Sequence, residues 1–221
     1  MDFQRDGYTV VRGAVAPEAM ALYCRSTLLQ KAKYWLPEPA YNSLGRYADA
    51  QGEAILERLQ PEVERITGHA LYPCYSFLRI YQPGSELRRH TDRPSCEFSV
   101  TLHVGGPDGA EWPIWIENDG KAAEVRLAPG DLMVYRGAAL PHWRERFDGP
   151  WWVQLFLHYV DAAGAYAHYR HDGRAQLGPF NIHKDRRKLP DPTKLLPGDG
   201  CWCGSGRALK DCHRAQMTAR S

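Results

Sequence analysis

The stretch "LYPCYSFLRIYQPGSELRRHTDRPSCEFSVTLHVGG", residues 71–106, decides the fold. Before it, apolar residues recur at helical spacing. Within it, β-branched and aromatic residues form short runs broken by Gly, Pro and Asp, which is the pattern of strands joined by tight turns. The rhythm continues through "EWPIWIEN", "AEVRLA", "DLMVYRG", "LPHWRERF" and "WWVQLFLHYV", with "GGPDGA", "ENDGK", "APGD" and "FDGP" as punctuation. Eight strands in about ninety residues predict an antiparallel double-sheet barrel of jelly-roll type. A different all-β sandwich is the competing architecture.

Working outward towards the N-terminus, "GYTVVRGAVA" reads as a short strand leading into a helix. "PEAMALYCRSTLLQKAKYW" opens with the Pro-Glu pair of a helix start. "LPEPAYNSLGRY" reads as a loop, and "DAQGEAILERLQPEVERITGHA" as a second amphipathic helix interrupted or restarted at Pro61. The fold class is α+β, mainly β. Residues 1–160 form one domain, with a helical layer over 1–70 and a barrel over 71–160. Residues 161–200 lose periodicity and read as a basic connecting segment with a short ordered piece at "LGPFNIH". Residues 201–214 form a small separate unit.

The 221 residues, 43% of them hydrophobic, suffice for one substantial core plus an appendage. The longest apolar runs fall short of the roughly 20 residues of a membrane-spanning helix. "MDFQRDGYTVVRG" has no apolar signal-peptide core, so the expectation is a cytoplasmic protein without a membrane partner. Charge is uneven. Residues 1–159 hold 17 Lys and Arg against 20 Asp and Glu, whereas residues 160–221 hold 11 against 6. A basic tail suits an acidic partner or simple solvation. Cys24, Cys74 and Cys96 sit in periodic segments as small core residues, whereas Cys201, Cys203 and Cys212 cluster. That distribution fits a reducing compartment and metal chemistry rather than disulfides.

His90 and Asp92 are two apart in a strand-like run, so both side chains can face one side. His142, in a later strand, supplies a third ligand. Two His and one carboxylate on one face of a metal leave the opposite positions open, the arrangement of non-haem Fe(II) oxygenases. Zinc also accepts such ligands, and a hydrolytic zinc site stays open at this point. The helical His-Glu-x-x-His arrangement of many zinc hydrolases is absent.

On these residues the chain resembles the 2-oxoglutarate- and Fe(II)-dependent dioxygenases, in particular the prolyl-hydroxylase-like branch. The resemblance covers residues 8–160: "GYTVVRGAVAPE", "RIYQPGSELRRHTD", "APGDLMVYRG" and the distal His142. It implies a double-stranded β-helix with Fe(II) held by His90, Asp92 and His142. It further implies 2-oxoglutarate chelated to the iron, O2 in the remaining position, and hydroxylation with release of succinate and CO2. Related halogenases have a small residue in place of Asp92, so hydroxylation is favoured over halogenation. The cosubstrate's distal carboxylate needs a buried cation, for which the arginine fork is suited. In that branch a basic residue commonly follows the distal His by about ten positions. Here Trp151 and Trp152 occupy that region. Arg144, on the same strand face as His142, is the substitute, with Arg146 and then Arg79 as alternatives. Tyr81 matches a tyrosine that often contacts the cosubstrate. His103 stands where the branch often has a hydrogen-bonding tyrosine, with Thr101 on the same face, and reads equally as a core histidine.

At the C-terminus "CWCGSGRALKDCHR" places Cys201, Cys203, Cys212 and His213 at spacings suited to tetrahedral Zn(II). This resembles the SEC-C motif, a small zinc-binding element, and implies a structural Zn(II) knuckle that docks onto a protein or, helped by "HKDRRK", a nucleic acid. Two functional classes therefore stand: a dioxygenase, with a protein side chain ahead of a small molecule as substrate, or a non-catalytic adaptor with a degenerate barrel. Trp112, Trp115, Trp143, Trp151 and Trp152 read as cleft lining or as core.

Overall fold

The computed structural model of the chain describes residues 2–178, Gly198 and Ala208. In chain order the elements are α1 (Phe3–Asp6), β1 (Tyr8–Val11), α2 (Pro17–Leu28), β2 (Leu36–Glu38), β3 (Ser43–Tyr47) and α3 (Ala50–Thr67). Then come β4 (Leu71–Tyr81), β5 (Leu87–His90), β6 (Phe98–Gly105), β7 (Ile114–Asn118), β8 (Lys121–Val125), β9 (Leu132–Tyr135), β10 (His142–Arg144) and β11 (Trp152–Asp161). Two antiparallel sheets face each other, one in the order β1-β9-β6-β11-β4-β3-β2 and the other β5-β10-β7-β8. This is the double-stranded β-helix expected, and all eight strands after residue 71 are present.

Strand alternation sorts the large sheet into two faces. Leu78, Ile80, Val100, Leu102, Val153, Leu155 and Leu157 face outward and pack with Met20 and Tyr23 of α2 and Leu56, Leu59 and Val63 of α3. That cluster is the apolar core. The opposite face carries Arg79 and Tyr81 of β4, Ser99, Thr101 and His103 of β6, and Gln154 and His158 of β11. Most of these are buried, yet the set is largely polar. A fully buried strand with a polar inner row marks the barrel interior as a site rather than a core.

The short strand expected at "GYTVVRGAVA" is β1, which joins the large sheet beside the helices of the N-terminal layer. Three expectations need correction. "LPEPAYNSLGRY" is not a loop but the β2–β3 hairpin. Leu36, Leu44 and Tyr47 supply its strand character, Pro37 sits in the edge strand where no ladder donor is required, and β3 pairs with β4 over Ser43–Tyr47. Helix α3 runs unbroken through Pro61. Pro61 is on its exposed face, and the Asp49 cap at one end, the left-handed Gly68 cap at the other and the apolar stripe on the sheet outweigh one lost hydrogen bond. Finally, residues 161–178 are not a loose connection. Asp172 is buried, accepting from Tyr47 Oη at 2.6 Å and Arg93 Nη2 at 3.0 Å. Arg174 Nη2 reaches Glu53 Oε2 and the Cys74 carbonyl, each at 2.9 Å. The predicted zinc ligands Cys201, Cys203, Cys212 and His213 lie outside the described residues, as does most of "LGPFNIH". Among the described residues no helix is long and apolar enough to cross a membrane.

Candidate active site

Strands β5 and β10 pair so that His90 and His142 stand opposite each other in register. Asp92 lies just past the end of β5 rather than within it, which corrects the simple strand argument. It is brought alongside by its backbone N–H, which donates to the Gly137 carbonyl at 2.9 Å, and by Ser99 Oγ, which donates to Asp92 Oδ2 at 3.0 Å. Asp92 Oδ1 then lies 3.5 Å from His90 Nε2 and 3.7 Å from His142 Nε2. Gly137 is required at its place: a Cβ there would lie 2.3 Å from Ser99 Oγ and 2.5 Å from Asp92 Oδ2.

Both imidazoles are oriented by the same local device. His90 Nδ1 contacts the Arg88 carbonyl at 2.7 Å and His142 Nδ1 the Leu140 carbonyl at 3.0 Å. A carbonyl only accepts, so each Nδ1 carries the hydrogen and each Nε2 presents a lone pair towards Asp92. Burial works against the His90 imidazolium, but the hydrogen bond and charge of Asp92 outweigh it and raise its pKa. For the deeper His142, burial dominates and lowers it, with the His90 charge adding to the effect. Burial opposes ionisation of Asp92, yet the charges of His142, His90 and His158 and the His90 hydrogen bond hold its carboxyl well below the usual range. Two imidazole nitrogens and one carboxylate oxygen, mutually within 4.8 Å, form a donor set for a divalent metal.

Two residues beyond His142, Arg144 points into the barrel. It is 1% exposed and is the one arginine in the buried class among the described residues. Its Nη1 donates to the Trp112 carbonyl, and the guanidinium lies 4.8 Å from the Trp112 ring centre and 6.0 Å from that of Trp152. Among the described residues no carboxylate pairs with it, and Nε meets no acceptor. Burial pushes its pKa down to about 10, with Tyr81 and Tyr135 opposing, so it remains a cation at neutral pH. Tyr81 lies edge-on to Trp112 at 4.7 Å, and His103 is stacked on Trp152 at 4.0 Å. The predicted Arg144, Tyr81 and His103 thus belong to one aromatic-walled compartment.

The alternatives to Arg144 lie elsewhere. The Arg146 side chain is 73% exposed beside Asp148. Arg79 faces the interior but is held by both oxygens of Glu38, at 2.7 and 2.8 Å. Of the tryptophans, Trp112 and Trp152 wall the Arg144 compartment, whereas Trp115 and Trp143 stack on each other in β7 and β10 at 6.1 Å. Cys24, Cys74 and Cys96 are free and buried, as expected.

Sequence reasoning did not single out Ser99, Gly137 or His158. Ser99 Oγ lies 3.0 Å from His158 Nδ1 as well as from Asp92, so His158 supports the Asp92 carboxylate through one hydroxyl. Burial pushes the His158 pKa down to about 4. The available signal was the alternation Trp152-Gln154-Phe156-His158, a row of large and polar side chains two apart in an otherwise aliphatic strand.

The comparisons with known proteins agree with this architecture. A prolyl-4-hydroxylase from Pseudomonas putida superposes with a TM-score of 0.61 at 18% identity, covering 72% of this chain and 95% of that one. An oxidoreductase of the 2OG-Fe(II) oxygenase family from Burkholderia pseudomallei gives 0.57 at 17% identity, over 72% and 86% of the two chains. HygX from Streptomyces hygroscopicus, with nickel and 2-oxoglutarate bound, gives 0.59 at 10% identity, over 73% and 85%. The chain therefore has the fold of the 2OG-Fe(II) oxygenases. The SEC-C motif matches residues 199–215. No curated protein matches the chain by sequence.

Proposed function

We propose that the chain is an Fe(II)- and 2-oxoglutarate-dependent dioxygenase that hydroxylates its substrate. One observation carries the reading: a two-histidine, one-carboxylate face shares the barrel interior with a buried arginine that has no acidic partner among the described residues. The donor set suits Fe(II), and the unmet Arg144 Nε suits the distal carboxylate of a dicarboxylate. His90, Asp92 and His142 would hold the metal, and Arg144, Tyr81 and His103 would surround the far end of 2-oxoglutarate. Bound together, Fe(II), 2-oxoglutarate and O2 supply the oxidising power for hydroxylation, with succinate and CO2 released.

The chain's own residues supply orientation and dryness. Arg88 and Leu140 carbonyls fix the two imidazole tautomers, and Ser99 restrains Asp92. Trp112, Trp152 and Tyr81 keep water from Arg144, which strengthens its attraction for a carboxylate. The His90 side chain is 34% exposed against 3% for His142, so substrate reaches the site from the His90 side. We favour a protein side chain as substrate, because the SEC-C motif gives the chain a second element suited to docking, in which Cys201, Cys203, Cys212 and His213 would hold structural Zn(II). The adaptor reading rests on the missing cation near Trp151, and a buried Arg144 without an acidic partner among the described residues speaks against it.

The test is anaerobic addition of Fe(II) and 2-oxoglutarate to the purified chain. A visible charge-transfer band is expected, followed in air by slow succinate release. Both are expected to vanish in His90→Ala and Asp92→Ala. A wild-type protein giving neither signal overturns the reading, and O2-independent turnover with zinc would replace it by hydrolysis.

A further inference from the structure

His103, on β6, is 3% exposed and lies flat against Trp152, with an interplanar angle of 5°. Its Nδ1 is 2.8 Å from the Leu127 carbonyl. Since a carbonyl can only accept, Nδ1 carries the hydrogen, and in the neutral ring Nε2 is a bare lone pair. That nitrogen is buried and meets no donor among the described residues. Arg144 Nε is equally buried and meets no acceptor, and its guanidinium lies 6.0 Å from the centre of the same Trp152 ring. Two groups bordering Trp152 are therefore unmet, one a cation and the other an acceptor of the wrong polarity for an incoming anion.

We propose that His103 takes up a proton from solvent when a dicarboxylate enters the Arg144 compartment, so that binding there is linked to pH. This rests on the reading of Arg144 as the cosubstrate anchor. A carboxylate at Arg144 sets its oxygen lone pairs against the lone pair of Nε2. Protonation turns that repulsion into a second charge-assisted hydrogen bond. Without the anion the ring stays neutral: burial foremost, and the Arg144 charge, hold its pKa down to about 4. Asp131 is the other charged group facing it and pulls the opposite way, but its carboxylate is already engaged by Arg12 and by the Gly13 and Ala128 N–H groups. Trp152 and the Leu127 and Gly105 main chains carry no charge; the two main-chain groups favour the protonated ring, and burial outweighs them.

The sign follows from linkage. Above the low pKa of the ligand-free state and below the raised pKa of the bound state, each binding event consumes one proton. Affinity then falls about tenfold per pH unit as pH rises through that window. A site without the linkage has an affinity that is flat over the same range.

The test is calorimetric titration of the full chain, loaded with Ni(II), by 2-oxoglutarate near pH 7 in buffers of different ionisation enthalpy. Uptake approaching one proton per ligand, lost in His103→Gln, is the expected result. Binding by the wild type without proton uptake overturns the inference and leaves the cosubstrate reading standing. Uptake that persists in His103→Gln overturns the assignment to His103. No binding at all overturns both. The wild-type measurement alone decides the linkage if the variant does not fold.

Discussion

Two arginines lie inside the barrel, Arg79 on the large sheet and Arg144 on the small one, and they are treated oppositely. Arg79 gives both ends of its fork to Glu38 and a third bond to Tyr81 Oη at 3.1 Å, with Tyr41, Phe77, Tyr81 and Phe156 around it. Burial works against its charge, but Glu38 and the tyrosines overcome this and raise its pKa well above the ordinary value. Arg144 has one main-chain carbonyl and two indole faces, and its pKa is lowered. A buried charge without a counter-charge is costly, so the second arrangement persists only where something outside the chain repays it. The first arginine is part of the scaffold; the second is the one we propose as the cosubstrate anchor.

This contrast predicts opposite stability changes. Glu38→Gln leaves Arg79 uncompensated and is expected to destabilise the protein by about 3–5 kcal/mol, read by urea unfolding. Arg144→Met removes an uncompensated charge while keeping apolar bulk, so the ligand-free protein is expected to gain about 1–2 kcal/mol. Bound 2-oxoglutarate is expected to stabilise the wild type by about 2.7 kcal/mol at a hundredfold excess over Kd, and the same variant is expected to lose that gain. Equal destabilisation by both substitutions would erase the distinction. An Arg144 variant with unchanged 2-oxoglutarate affinity would remove the anchor.

The contrast also explains what could be read from the sequence. The eight strands after residue 71 were legible because turn residues separate short β-rich runs, and His90, Asp92 and His142 because their side-chain chemistry is distinctive. Arg144 could be placed because a two-residue offset from His142 fixes its face. The pairing that disqualifies Arg79 was not legible: Glu38 lies 41 residues away in a hairpin that reads as a loop, since Pro37 and Pro39 mask its strand character. Pro61 misled in the other direction, because a proline on an exposed helix face costs only local hydrogen bonding when the buried face is well packed. Asp92 reaches the site by a route that the two-residue spacing from His90 does not describe. It comes there by tertiary bonds to Gly137 and Ser99, which no local period encodes.

Those bonds give the smallest of the expected effects. At the Asp92 end of the interior nearly every polar group is paired, in contrast to the Arg144 end. Ser99 is the shared member: its oxygen lies within 3.2 Å of Asp92 Oδ2, the Cys96 carbonyl and His158 Nδ1. The one hydroxyl hydrogen is shared by Asp92 and the Cys96 carbonyl, so the bond to Asp92 is strongest when His158 donates to Ser99 and does not become a third acceptor. Removing the hydroxyl in Ser99→Ala frees Asp92 Oδ2 without touching a metal-facing atom, and Ni(II) affinity is expected to fall by about 10- to 100-fold. The variant is expected to keep its fold, because alanine fills no new space beside Gly137. Titration with Ni(II) in the absence of 2-oxoglutarate separates this from any effect at Arg144. An unchanged metal affinity would show that backbone pairing of Asp92 with Gly137 is sufficient to hold the carboxylate, and that the ordered end of the barrel serves folding alone.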